Sequence, residues 1–311
     1  MLSRAANAMF WLARYVERMD AVARLIETAV RLDAMAEGGG DSWRSAIIAA
    51  GCDVGFDAKH DVADYRTAVP YLASAPDNPS SILSCIEAAR FNARAMRTSL
   101  TRDMWEVVNE AWIGAREFTP ASFDRERLPE TLDWVKRQAT LFNGAYASTM
   151  LRNDVYWFTR LGTYLERADT TARLLDVKYN VLLPDYASVG GFVDYQQWTS
   201  VLQAVSAVRA YHYIYKDQVK PWHVAELMIL RPEMPRSLRA CHDEITIQLD
   251  RLANSYGGQR GECHRLAGEL HARLRFGTVD GIFREGLHEF LTGMIDRTEA
   301  LGVEVERFYM S

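Results

Sequence analysis

The sequence predicts an all-α protein made of two tandem duplicated helical-bundle units related by a pseudo-two-fold axis. Three observations lead there. Glycine and proline are few, 19 and 9 of 311 residues, and they fall between periodic stretches rather than inside them. That spacing suits long helices and argues against a many-turned β architecture. Within the stretches, apolar residues recur at helical intervals. The third observation is self-similarity at a period of about half the chain.

Taken in order, residues 2–36 read as one helix, with Leu12, Tyr15, Val16, Met19, Val22, Ala23, Ile26, Ala29 and Val30 at helical spacing. Gly38-Gly39-Gly40 is expected to end it. Trp43 to Ala50 reads as a shorter helix and 52–62 as a loop. Asn78-Pro79 is expected to open the next helix, with Asn78 capping and Pro79 at the first helical position. That helix carries CIEAARFNARAM. Another holds Trp105 to Glu117, with Thr101 as its cap. Pro120 to Leu128 reads as a loop, and Pro129 starts a helix through about Tyr146.

The second half repeats the plan. YVERMDAVARLIE at 15–27 aligns without gaps to YLERADTTARLLD at 164–176, an offset of 149 (164 against 15). PDNPSSILSCIEA at 76–88 matches PEMPRSLRACHDE at 232–244, an offset of 156 (232 against 76). Trp43 and Trp198 fall between these matches. Ordered matches with a slowly drifting offset indicate duplication, with units at 1–150 and 151–311 joined into one body.

Composition excludes several function classes. A formal net charge of −5 forces no basic face for nucleic acid. No run approaches the roughly 20 uncharged apolar residues that span a bilayer. Arg14, Glu17, Arg18 and Asp20 interrupt the apolar N-terminal stretch too soon for a signal-peptide core. Cys52, Cys85, Cys241 and Cys263 lack CxxC spacing and read as buried thiols, so the expected location is the cytoplasm.

The repeated string is Y-x-E-R-x-D-x-x-A-R-L. At about 100° per residue, Glu17, Asp20 and Arg24 share one helix face, opposite Tyr15, Met19, Val22 and Ile26. Tyr164, Glu166, Arg167, Asp169 and Arg173 repeat the arrangement. Small residues flank the charges, Ala13 and Ala21 in one copy and Gly162 in the other. Two readings are open. One is a solvated face with local ion pairs, each contributing only ~0.2–0.5 kcal/mol. The other is a partly buried interface between the two motif helices. In the second reading the helices meet antiparallel, with Glu17 on Arg173 and Glu166 on Arg24.

The strings LSRAANAMFWLARYVERMDAVARL, EAARFNARAMRTSLTRDMWEVVN and FTRLGTYLERADTTARLLDVKY resemble the alpha-E family of bacterial helical domains, named for its helices and its Glu-Arg motif. The resemblance spans nearly the whole chain. Positions that match are Trp11, Arg14, Tyr15, Glu17, Arg18, Arg24, Arg90, Asn92, Arg94, Trp105, Asn109, Glu166, Arg167 and Asp169. One departure stands out: the family-like R-E-N-A-R string is Arg90-Phe91-Asn92-Ala93-Arg94 here. Similar proteins occur beside circularly permuted ATP-grasp ligases and transglutaminase-like proteins, some with a proteasome-like peptidase. The resemblance therefore implies a part in peptide or amide-bond synthesis or modification, as the ligase's partner.

Other candidate sites are weaker. Arg90, Arg94 and Arg97 are spaced for one helical face and could hold phosphate or carboxylate, or simply form a solvated surface. Cys241-His242 and Cys263-His264 with His271 fit no zinc spacing, so no metal is expected. Tyr211, Tyr213, Tyr215 and Trp222 read as core or groove lining. No GxSxG, Walker-type loop or HExxH occurs, and no cofactor is called for. The expected function is a non-catalytic binding or scaffold subunit. The alternative is an enzyme using Glu17 and Glu166 as acid and base, which the arginines beside them disfavour.

Overall fold

A computed structural model describes residues 3–35, 42–182 and 192–311. Every regular element among them is helical. The long helix α1 covers Ser3–Met35 and is followed by α2 (Ser42–Ala49). The Gly38–Gly40 run lies outside the described residues. Where a loop is expected at 52–62, one helical turn, α3 (Asp53–Asp57), intervenes. Helix α4 (Tyr65–Ala73) starts at a capping box formed by Asp64 and Thr67.

Helix α5 (Ile82–Ala95) opens later than expected. Its cap is Ser81, whose hydroxyl accepts from Ser84 N, and not Asn78. Asn78 is buried and otherwise engaged: its amide donates to Tyr71 O at 3.0 Å and its carbonyl accepts from Ser80 N at 3.0 Å. A side chain spent on organising the turn cannot also cap a helix. Thr101 does cap α6 (Arg102–Ala115) as expected, accepting from Met104 N. The 120–128 stretch contains a 3₁₀ turn at Pro120–Phe123 before α7 (Leu128–Thr149).

The second half contains α8 (Asp154–Leu182), α9 (Phe192–Ala204), α10 (Val208–Tyr215) and α11 (Pro221–Ala225), the last running into a π-helical turn at Glu226–Leu230. Then come α12 (Leu238–Ser255), α13 (Glu262–Phe276), α14 (Val279–Glu285) and α15 (Leu287–Tyr309).

Helix α1 is buried on two sides. Met9, Leu12, Val16 and Met19 belong to a hydrophobic cluster shared with α5, α6 and α7, while Ala6, Phe10 and Leu25 belong to a second cluster built on α8, α12 and α15. A helix apolar on two sides is placed inside a bundle rather than on its surface. Helix α7 returns antiparallel along α1, with Lys136 Nζ on Glu27 Oε2 at 2.9 Å. The chain therefore enters α8 at the end where α1 began.

Helices α1 and α8 consequently run side by side in the same direction. Phe10 lies against Gly162, Glu17 against Arg167, and Ala21 and Leu25 share a cavity with Thr170 and Leu174. The expected antiparallel meeting is thus corrected to a parallel one, because α7 resets the chain direction between the two motifs. The approach is close. A Cβ on Gly162 would lie 2.2 Å from Phe10 O, so only glycine fits.

Candidate functional site

The repeated motif lies at this helix pair. Glu17 and Glu166 are almost fully enclosed, at 1% and 2% exposure. Arg167 grips Glu17 with two parallel bonds, Nε to Oε1 at 2.8 Å and Nη2 to Oε2 at 2.9 Å. Arg18 grips Glu166 in the same way, Nε to Oε1 at 2.5 Å and Nη2 to Oε2 at 3.1 Å. The glutamate and arginine of each Glu-Arg dipeptide therefore bind the arginine and glutamate of the other. Forked pairs of this kind are the strongest geometry available to a guanidinium.

Each carboxylate carries a second guanidinium. Arg14 Nε donates to Glu166 Oε2 at 2.7 Å, and Arg236 Nη1 donates to Glu17 Oε1 at 3.0 Å. Arg236 also reaches Asp20 Oδ2 at 2.7 Å. The expected pairs, Glu17 with Arg173 and Glu166 with Arg24, do not form. Arg24 Nε is bound to Asp20 at 2.8 Å, with its Nη1 on Ala204 O at 2.7 Å. Arg173 Nε is bound to Asp169 at 2.9 Å and its Nη2 pairs with Glu299. In a parallel pair, residues 17 and 167 come level. Arg24 and Arg173 sit two turns further on, beside the aspartate one turn behind each.

The electrostatics follow from this geometry. Burial alone would raise both glutamates, but the surrounding guanidiniums outweigh it: Arg167 and Arg236 hold Glu17, and Arg18 and Arg14 hold Glu166, at about 2. Carboxylates held this low are fixed charges and poor proton carriers. Burial raises Asp169, against the pull of Arg173. Asp20 Oδ1 and Asp169 Oδ1 are both buried without a hydrogen-bond partner.

A second feature adjoins the network. A cleft of about 1000 Å³ between α1 and α5 is lined by Arg4, Asn7, Trp11, Tyr15, Phe91 and Asn92, among others. Phe91, the departure noted in the sequence, is 74% exposed there. Tyr15 is raised by burial. Asn92 donates to Ala88 O at 2.9 Å. Trp11 connects cleft and network, since the Arg14 guanidinium lies 4.5 Å from its ring.

The remaining sequence candidates lie outside the Glu-Arg network. Arg90 stacks 3.7 Å over Trp112 and donates to Asn109 at 3.2 Å. Arg97 lies beyond the end of α5 and packs over Trp105, so Arg90 and Arg97 both rest on tryptophans of α6, while Arg94 is exposed. Tyr164 receives a bond from Arg160 at 3.1 Å and is pushed up to about 12 by burial. Tyr211 is buried, whereas Tyr213 and Trp222 are exposed. All four cysteines are free and buried. Among the described residues no three His, Cys, Asp or Glu side chains gather as metal ligands, and no helix is long and apolar enough to cross a membrane. Arg236 was missed. It stands at the position of Ser80 in the repeat alignment, and a difference between copies was the one signal available.

A family model described as "Alpha-E: a predicted alpha-helical domain with a conserved ER motif" matches residues 1–310. The chain is 25% identical over 324 aligned residues to an uncharacterized protein of Mycobacterium bovis, and equally to uncharacterized proteins of two Mycobacterium tuberculosis strains. Each alignment covers 94% of this chain and 35% of the relative, so the chain spans about a third of the length of these curated relatives. No solved structure matches.

Proposed function

The chain belongs to the Alpha-E family, and on that premise we propose that it is a non-catalytic binding subunit of a peptide- or amide-modifying system. Its partner is an ATP-grasp-type ligase, with a transglutaminase-like protein as a second associate, and it works in the cytoplasm. The observation that carries this reading is the contrast between the two parts of the site. The Glu-Arg carboxylates are held ionised by two guanidiniums each, whereas the broad cleft beside them offers aromatic and apolar surface suited to holding another molecule. The mycobacterial relatives add support, because the matched region is joined there to further sequence. The competing reading, acid-base catalysis by Glu17 and Glu166, needs one carboxyl with a raised pKa, and both are lowered.

We further propose that residues 1–150 and 151–311 are duplicated units related by a pseudo-two-fold axis along α1 and α8. The reciprocal Glu-Arg pairs support it. So do Ser81 and Ser237, each of which caps its helix and donates to a carbonyl six residues earlier, Ala75 O and Arg231 O. Gly51 and Ser206, 155 residues apart (206 against 51), both adopt positive φ, 65° and 59°.

The functional reading is tested by co-expressing the chain with a circularly permuted ATP-grasp ligase from the same organism. Co-purification is expected, and Phe91→Glu in the cleft should weaken it while leaving the fold intact. Failure to associate would overturn the partnership. ATP turnover or amide-bond formation by the isolated chain, lost in Glu17→Ala, would favour the enzyme.

A further inference from the structure

The two Glu-Arg sites differ in one respect. At the first, Glu17 Oε1 accepts from both Arg167 and Arg236, and Asp20 Oδ2 accepts from both Arg24 and Arg236. At the second, among the described residues, Glu166 Oε1 accepts from Arg18 alone and Asp169 Oδ2 from Arg173 alone. Each of these acceptors has one donor fewer, and the missing donor corresponds in both cases to Arg236. The residue aligned with Arg236 is Ser80 (236 against 80, the offset of 156 seen in the neighbouring prolines and cysteines).

Space accompanies the missing donor. Beside Arg236 the cavity that Ala21 and Arg24 share with Thr170 and Thr171 is only about 20 Å³. Its counterpart, lined by Arg14, Arg18, Ser80, Glu166, Asp169 and Arg173 among others, is about 170 Å³. It opens past the exposed Gly51, where a side chain would come 3.7 Å from Arg173 Nη1. Arg14 does not supply the corresponding contact, because it approaches Glu166 from the Oε2 side.

The geometry points to a ligand site for a guanidinium group in this cavity, its nitrogens bridging Glu166 Oε1 and Asp169 Oδ2 as Arg236 bridges Glu17 and Asp20. The ligand class is an arginine side chain of a peptide or a free alkylguanidine. The inference rests on the correspondence of the two halves and goes beyond the binding-subunit reading, whose cleft lies between α1 and α5, by adding a second site. Charge balance permits it. Arg14, Arg18 and Arg173 face Glu166, Asp169 and Glu299 in equal numbers, so an added cation leaves an excess of one positive charge. Burial raises Asp169, and a bound cation would relieve that by favouring the ionised form.

The experiment uses the full chain and agmatine as probe, with inorganic phosphate and a capped arginyl peptide in parallel. Agmatine should bind by titration calorimetry, and Asp169→Asn should weaken it by about tenfold or more, the effect of losing one charge-assisted bond. Ser80→Arg should fill the cavity with a tethered guanidinium, abolish agmatine binding and raise the melting temperature. Binding of the peptide as well as agmatine identifies a side-chain site; agmatine alone identifies a free-ligand site. If Ser80→Arg stabilises but agmatine does not bind, the halves correspond and the ligand assignment is wrong. If Ser80→Arg destabilises and agmatine does not bind, the correspondence fails too. Phosphate binding in place of agmatine, or agmatine binding undiminished in Ser80→Arg, would also overturn the site.

Discussion

Glu17 and Glu166 show what a buried charge needs at the residue scale. Each is enclosed and survives as a carboxylate because two guanidiniums surround it. Compared with an apolar packing of the same volume such a network adds little net stability, since desolvation offsets the attraction. Removing one partner is different, because it strands a charge. Arg167→Ala should cost roughly 3–5 kcal/mol in urea denaturation, and adding Glu17→Ala should recover part of the loss. Additive single changes would mean that the pair is not coupled. The pH dependence has two parts. Burial lowers His242 from 6.5 to about 4, and neither ring nitrogen has a hydrogen-bond partner. The unfolded chain therefore binds this proton first, so stability should fall as pH drops from 6.5 towards 4. Glu17 and Glu166, lowered from 4.5 to about 2, contribute stability that is present above 4.5 and lost as pH falls through about 2. His242→Leu should flatten the upper part alone and raise stability at neutral pH by ~1–3 kcal/mol. An unchanged slope between pH 6.5 and 4 would exclude His242 as its source.

At the scale of elements, the α1–α8 contact depends on the absence of one atom. A methyl group at Gly162 would meet Phe10 O at 2.2 Å, and the obstacle is backbone, which cannot rotate aside. Gly162→Ala raises helix propensity by about 1 kcal/mol, so on an isolated helix it would stabilise. In this protein the clash should dominate, with a net loss of roughly 1–3 kcal/mol or more as the two helices separate. Separation would also lengthen the Glu17–Arg167 and Arg18–Glu166 forks, so a chemical-shift change at the arginine Nε protons should accompany the loss. A neutral or stabilising Gly162→Ala would show that the helices are farther apart in solution. The cap of α6 was legible beforehand, since Thr101 caps it as its sequence suggests. The shift from Asn78 to Ser81 at α5 was not, because it depends on Asn78 being drawn to Tyr71 O across a tertiary contact.

On the scale of the whole molecule, α1 and α8 belong to both halves at once. Phe10 and Leu25 of the first half sit in the second half's hydrophobic cluster, and Val155 and Tyr156 sit in the first's. Residues 1–150 produced alone would expose that apolar surface and leave Glu17 without Arg167 and Arg236. They should therefore fail to fold, whereas co-expression with 151–311 should recover a soluble complex. Independent cooperative unfolding of either half by calorimetry would contradict this. A single melting transition for the full chain is the matching expectation.

The sequence by itself determined the helical class, the order of the long helices and the recurrence of the Glu-Arg motif. These depend on residues within a few positions of one another, where periodicity, caps and turn residues act. It also placed Glu17, Asp20 and Arg24 on one face, because a helical wheel is local geometry. The tertiary structure decided the rest. Whether α1 and α8 run parallel depends on α7 carrying the chain back, and that direction determines which arginine comes level with which glutamate. Arg236 joins Glu17 across 219 residues, a distance over which no spacing rule acts. The difference between Arg236 and Ser80 is written in the sequence, but its consequence, a cavity of about 170 Å³ beside Ser80 against one of about 20 Å³ beside Arg236, exists only once the helices are packed.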